Sequence, residues 1–148
     1  MKCLLQRVTA ASVSVAGSVI GEIERGILVF VGVEPSDTSL TTARTAERML
    51  NYRLFSDASG KMNLNVVEAE GAILLISQFT LAADTSSGHR PGFSTAAPPE
   101  QARALFEELA SNLRSGPVPI ETGCFGADMQ VHLINDGPVT FLLETKLN

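Results

Sequence analysis

Two short stretches hold the residue types from which a reaction could be built. Ser77-Gln78-Phe79-Thr80 follows the apolar run "GAILLI", so two hydroxyls and an amide arrive abruptly where a buried strand opens into a long loop. Such side chains often bond nearby backbone at a strand end, which is a purely structural role. The same position could expose free main-chain N–H groups, the donors that hold a developing oxyanion. The second stretch is Asn135-Asp136-Gly137-Pro138-Val139-Thr140. As a turn it has ordinary turn chemistry. It could equally present bare carbonyls, because Gly137 has no side chain and an X-Pro bond is the one cheap place for a cis peptide.

A Ser or Thr nucleophile needs a base beside it. The only histidines are His89 and His132. His89 lies among Ser, Gly and Arg, the setting of a surface loop. His132 alternates with Val131 and Leu133, which points it to solvent from a strand. A Ser-His-Asp arrangement lacks GxSxG support. HExxH, paired Cys/His spacing, GxGxxG and GxxxxGK are all missing from the sequence, so neither metal nor cofactor is expected. Cys3 and Cys124 stand far apart and outside any CxxC pattern, which suits reduced thiols in a cytoplasmic protein.

The 148 residues are 45% hydrophobic and 18% charged, a globular profile. The net charge of −5 comes without any Lys/Arg block, which argues against a broad nucleic-acid footprint but not against a few phosphate contacts. The N-terminal "MKCLLQRVTA" lacks the long apolar core of a signal peptide, and no apolar run reaches the ~20 residues of a membrane span.

The elements that must position these stretches read as follows. "CLLQRV", the alternating "ASVSVAG" and "SVIGEI" are strands, and "GILVFVGVE" suits a strand buried on both faces. Leu40, Ala43, Ala46, Met49 and Leu50 recur at helical spacing, with Arg44, Glu47 and Arg48 opposite. "YRLFSDASGKMNLNV" reads as strand, turn and strand, and "GAILLISQFTL" as a further buried strand. "AADTSSGHRPGFSTAAPP" has no periodicity, and structureless loops of that length are often functional. Pro98 and Pro99 open a helix whose buried stripe is Ala102, Leu105, Phe106, Leu109 and Leu113. "ADMQVHLINDGPVTFLLET" reads as two strands around a turn. The expected architecture is α+β, one domain over residues 1–148, with an antiparallel or mixed, barrel-like sheet and two helices on one face.

"LLQRVTAASVSV", "YRLFSDASGKMNLNV", "SQFTLAADT" and "FGADMQVHLINDGPVTF", in that order, resemble the D-aminoacyl-tRNA deacylases, formerly called D-tyrosyl-tRNA deacylases. The likeness runs end to end, and "SQFT" and "GPVT" are the motifs that define that family. The resemblance implies hydrolysis of the ester joining a D-amino acid to the 3′-terminal adenosine of tRNA, a chiral proofreading step in translation. It extends to glycine, as in glycyl-tRNA mischarged on tRNA(Ala), while L-aminoacyl-tRNA is rejected. It implies a homodimer with active sites at the subunit interface, no membrane and no cofactor. Ser77, Gln78, Phe79 and Thr80 would line the pocket for the adenosine and the ester. Gly137 and Pro138, joined by a cis bond, would enter the partner's pocket, with Arg7 holding their carbonyls. Phe125 and Met129 would add to the pocket wall.

Attack by water, with the ribose 2′-hydroxyl as base, competes with Thr80 as a covalent nucleophile. Lys2, Arg7, Arg53, Lys61 and Arg90 are candidate phosphate contacts. The rival readings are an esterase of small acyl groups using Thr80 or Ser77 with His89, and a non-catalytic dimer that binds nucleic-acid ends.

Overall fold

One long strand organises the computed structural model, which describes residues 1–147. "CLLQRV" and "ASVSVAG" are not separate pieces; they form β1 (Lys2–Val15). Along one edge β1 pairs antiparallel with β8 (Gln130–Glu144). Along the other it meets two partners in turn. Lys2 to Val8 lies against β3 (Gly26–Gly32), and Ala11 to Val15 against β2 (Ser18–Ile23), both antiparallel. A strand shared in this way has to bend, and register slips beside Val8 and Val13 supply the bend.

The bend carries β2 over towards β6 (Ala72–Ser77) and β7 (Ile120–Thr122). A Cβ at Gly21 would stand 3.1 Å from the Thr122 carbonyl oxygen, so a glycine permits this approach. β3, β6 and β7 run parallel to one another. The result is a mixed, nearly closed, barrel-like sheet of six strands. A separate hairpin, β4 (Phe55–Ser56) and β5 (Met62–Leu64), turns on Asp57, whose carboxylate accepts from the Ser59 N–H, the Ser59 hydroxyl and the Lys61 N–H.

β3 and β6 bury both faces, as their unbroken apolar runs require. Ile27, Val29, Val31, Ile73 and Leu75 face α1 (Ser39–Asn51) and α2 (Pro99–Arg114), which share one side of the sheet. Leu28, Leu74 and Ile76 face the barrel interior with Val8 and Val13. The α2 stripe is the expected one, extended by Ala110. Among the described residues, no helix is long and apolar enough to cross a membrane.

Two further expectations need correction, and one strand, β7, was not expected at all. On α1 the buried face is Thr41, Thr42, Thr45, Ala46 and Met49, while Leu40 is 67% exposed. Thr42 can face inward because it donates its hydroxyl to the Ser39 carbonyl and receives Asn112, and Thr41 accepts the Thr38 N–H, whereas the Thr45 hydroxyl is buried without a partner among the described residues. The C-terminal stretch is one strand rather than two around a turn, because β1 pairs with both its halves. The short parallel strand β7, set just after prolines, has too few residues to show a period.

The Met1 amino group is buried and donates to Asp37 Oδ1 at 2.7 Å, Glu34 Oε2 at 2.8 Å and the Thr145 carbonyl at 3.0 Å. Asp37 also accepts the Glu34 N–H at 2.7 Å. Removing one partner of a buried pair strands the other charge. Asp37→Ala is therefore expected to cost about 3–5 kcal/mol in urea unfolding. A loss below about 1 kcal/mol, the value of a surface pair, would show that Glu34 alone neutralises the amine.

Candidate functional site

The β1–β8 ladder breaks at one place. Gln6 pairs with Thr140 and Val8 with Asn135, so Arg7 alone stands opposite Asp136, Gly137, Pro138 and Val139. Those four residues leave the sheet as a wide bulge. The Gly137–Pro138 peptide is cis and Gly137 has φ +123°, a backbone region that favours glycine. Both residues are exposed.

The base of the bulge is fixed by side chains. Asn135 accepts the Val139 N–H at 3.2 Å and donates to the Thr140 hydroxyl at 2.9 Å. The Arg7 guanidinium donates to the Leu54 carbonyl at 2.9 Å and the Asp136 carbonyl at 3.2 Å, and pairs with the Asp136 carboxylate at 3.3 Å. Arg7 thus grips the peptide just before Gly137, rather than the Gly137 and Pro138 carbonyls themselves. A Cβ at Gly137 would lie 2.8 Å from Val139 Cγ2 and 3.0 Å from Arg7 Nη2, so the space is closed to a larger residue.

The other motif lies where β6 ends. Ser77 is its last residue, opposite Val31, and the Gln78 N–H still reaches the Val31 carbonyl at 2.7 Å. The chain then tightens into a 3-10 turn, Phe79–Ala82, in which Leu81 donates to the Gln78 carbonyl. The first N–H groups of such a turn have no acceptor within it. Phe79 and Thr80 carry them. Gln78 Nε2 donates to Thr80 Oγ1 at 2.6 Å.

Beside this turn lies a cavity of about 780 Å³. Its wall includes Ser77, Gln78, Phe79, Phe125 and Met129, five residues that the sequence singles out. Thr80 touches it only through Gln78, while Arg7, Gly137 and Pro138 do not line the cavity of their own chain. Sequence reasoning missed Phe93, whose ring packs 5.3 Å from that of Phe79, and Pro98, Pro99 and Ala102 at the start of α2. The unpatterned loop that ends at Pro98 was the available signal.

No side chain lining the cavity is ionisable. His89 lies in the exposed loop and outside the wall, so the rival pairing with Ser77 or Thr80 finds no base there; His132 is exposed on β8. A shallower depression of about 470 Å³ lies elsewhere, by Glu22, Glu24 and His132. Among the described residues, no three His, Cys, Asp or Glu side chains are grouped to hold a metal. Cys3 is buried, and that burial pushes its thiol up to about 12, far from reactivity at neutral pH; Cys124 is exposed and unpaired.

The family model described as D-Tyr-tRNA(Tyr) deacylase matches residues 4–144. The D-aminoacyl-tRNA deacylase of Pseudomonas paraeruginosa is 58% identical over 97% of this chain and 99% of its own. That of Pseudomonas aeruginosa is 57% identical over 98% and 100%. A solved structure described as c-Myc DNA Unwinding Element Binding Protein superposes with TM-score 0.94 at 43% identity, covering 99% of this chain and 100% of that one. A probable eukaryotic D-amino acid tRNA deacylase shares the fold, with TM-score 0.82 at 16% identity over 96% and 97%.

Proposed function

The chain belongs to the D-aminoacyl-tRNA deacylase family, and from that premise we propose how its geometry performs and restricts the reaction. The protein is an ester hydrolase whose substrate is D-aminoacyl-tRNA. In the reading we favour, the terminal adenosine enters the cavity and its base lies against Phe79 and Phe93. Stacking of a base on an aromatic side chain contributes ~1–3 kcal/mol and asks for no charge.

The ester carbonyl then points at the free N–H groups of Phe79 and Thr80. They hold its oxygen as the carbon becomes tetrahedral, and losing one such donor typically costs ~2.7–4 kcal/mol. Water attacks and hands its proton to the ribose 2′-hydroxyl of the substrate, which passes its own to the departing 3′-oxygen as the ester C–O bond breaks. The observation that carries this reading is a cavity wall with no ionisable side chain, set beside a tight turn whose first N–H groups, at Phe79 and Thr80, have no acceptor within the turn. Thr80 as a nucleophile is disfavoured because no ionisable side chain lines the cavity to take its proton.

Selection between mirror images falls to Gly137 and Pro138 of a second copy. With the amino group and ester carbonyl both anchored, the α-hydrogen and the side chain take the two remaining directions. Two carbonyls closing one of them leave a D side chain free and obstruct an L side chain. Glycine has hydrogen in both directions and passes, so glycyl-tRNA mischarged on tRNA(Ala) is also a substrate. A second copy is called for because the bulge is exposed and does not line its own cavity. It sits on β8, an edge strand paired only with β1, beside Ile134 at 62% and Leu142 at 51% exposure. Exposed apolar side chains on a free edge suit a symmetric dimer.

Three outcomes are expected. Gly137→Ala should release L-amino acid from matched charged tRNA at a measurable rate while D-amino acid release persists, because the added methyl must displace Val139 or Arg7 and with them the bulge. Unchanged rejection of the L form would count against the scheme. Thr80→Ala should keep most of the activity, whereas a 2′-deoxy terminal adenosine should lose it; the opposite pair of results would restore the covalent route. Leu142→Glu should yield a folded monomer in light scattering with activity lost, and a fully active monomer would remove the shared site.

A further inference from the structure

An acidic protein of net charge −5 has to dock a polyanion, so each cation near the cavity matters. Most arginines are committed elsewhere. Arg7 holds the bulge, Arg25 bonds the Ala69 carbonyl, and Arg48 bonds the Glu144 carbonyl. Arg53 bonds Asn63 and Arg114 bonds Thr122.

Among the described residues, Arg44, Arg90 and Arg103 are exposed and hold no such bond, and of these three Arg103 alone is stacked on an aromatic ring. Its own helix offers Glu100 and Glu107 at the three- and four-residue spacings that usually form pairs. Among the described residues, no carboxylate is paired with Arg103. Its guanidinium instead lies 4.9 Å from the ring centroid of Phe125, a residue of the cavity wall. Phe125 is backed in turn by the buried ring of Phe106 at 6.1 Å. A guanidinium held over an aromatic face keeps its N–H edges free, a fork that matches two phosphate oxygens. Arg103 is exposed, so that fork is open to solvent.

We propose that Arg103, stacked on Phe125 at the rim of the cavity, binds the phosphate on the 5′ side of the terminal adenosine. The inference rests on the assignment of the cavity to that nucleoside. Phe125 then serves twice, as wall for the nucleoside and as platform for the cation. The contact sets how far the strand enters and adds affinity without adding charge inside the cavity. Arg103 is not among the candidate phosphate contacts named from the sequence, because its link to Phe125 joins helix and loop.

Steady-state kinetics with two substrates test it: D-aminoacyl-tRNA, and a D-aminoacyl ester of adenosine with no phosphate. Arg103→Gln should raise KM for the tRNA about ten-fold or more, with kcat changed less than about two-fold. The slope of log(kcat/KM) against log salt should become shallower by roughly 0.7–0.9. On the adenosine ester, variant and wild type should match. Arg103→Lys should keep the salt slope and recover part of KM, and Arg114→Gln, on the same helix, should behave as wild type.

An equal loss on both substrates would overturn the proposal, since Arg103 would then only brace Phe125. No change on either would overturn it too. Failure of the wild-type protein to hydrolyse the adenosine ester while it deacylates the tRNA would instead overturn the cavity assignment.

Discussion

The bond between Arg7 and the peptide of Asp136 is the contact on which the rest of the arrangement turns. β1 and β8 are the longest strands and pair from end to end, so an interruption between them has to be held open against the ladder on both sides. Gly137 and Pro138 suit an interruption because proline cannot donate to a ladder and glycine packs nothing against one. Without a brace, such a bulge would sway. Arg7 supplies that brace from a largely buried position, 12% exposed, while the Asp136 carboxylate is 47% exposed. An ion pair with one side in water adds little stability. Its value is directional: a planar guanidinium tied to Leu54 and Asp136 together fixes the angle at which the next two peptides leave the sheet.

The cavity obeys the same economy. It opens just past the end of β6, beside the start of α2, where a parallel run of strands hands over to loops. Crevices beyond the carboxyl ends of parallel strands are common ligand sites, because the sheet stops there and the next helix begins to one side. β6 stops pairing after Gln78, and the tight turn that follows leaves two N–H groups facing no protein acceptor. Nothing titratable lines the wall, so what chemistry the wall itself offers comes from main-chain dipoles and apolar shape. Preorganised backbone donors need no proton to be moved and no side chain to be charged before they act.

How much of this was legible depended on whether the signal was local. β3 and the α2 stripe were readable because burial on two faces, or on one, imposes an apolar period. α1 was legible only in part: Ala46 and Met49 are buried as expected, but the rest of its buried face is threonine and Leu40 is exposed. Asn-Asp-Gly-Pro carries real turn chemistry, yet pairing of both flanks with β1 turned a hairpin into a bulge. Ser77, Gln78, Phe79, Phe125 and Met129 all line one cavity. Phe93 and Arg103 could not be read, because each acquires meaning only through a ring brought near by the fold.

The proposed discrimination sets a further condition on this design. A site that excludes by contact is only as selective as its wall is stiff, because the favoured enantiomer and the rejected one differ by the cost of pushing that wall aside. A long side chain would be a poor wall, since it can rotate away. A peptide carbonyl cannot rotate without moving its neighbours, and here the neighbours are fixed by Asn135 below and Arg7 behind. Gly137 leaves no slack, as even a methyl group would press on Val139 and Arg7. Such a wall makes no demand on the identity of the D side chain, which points away from it. Breadth towards side chains and strictness towards handedness then have a single origin, a short piece of backbone that the sheet gives up and one arginine holds.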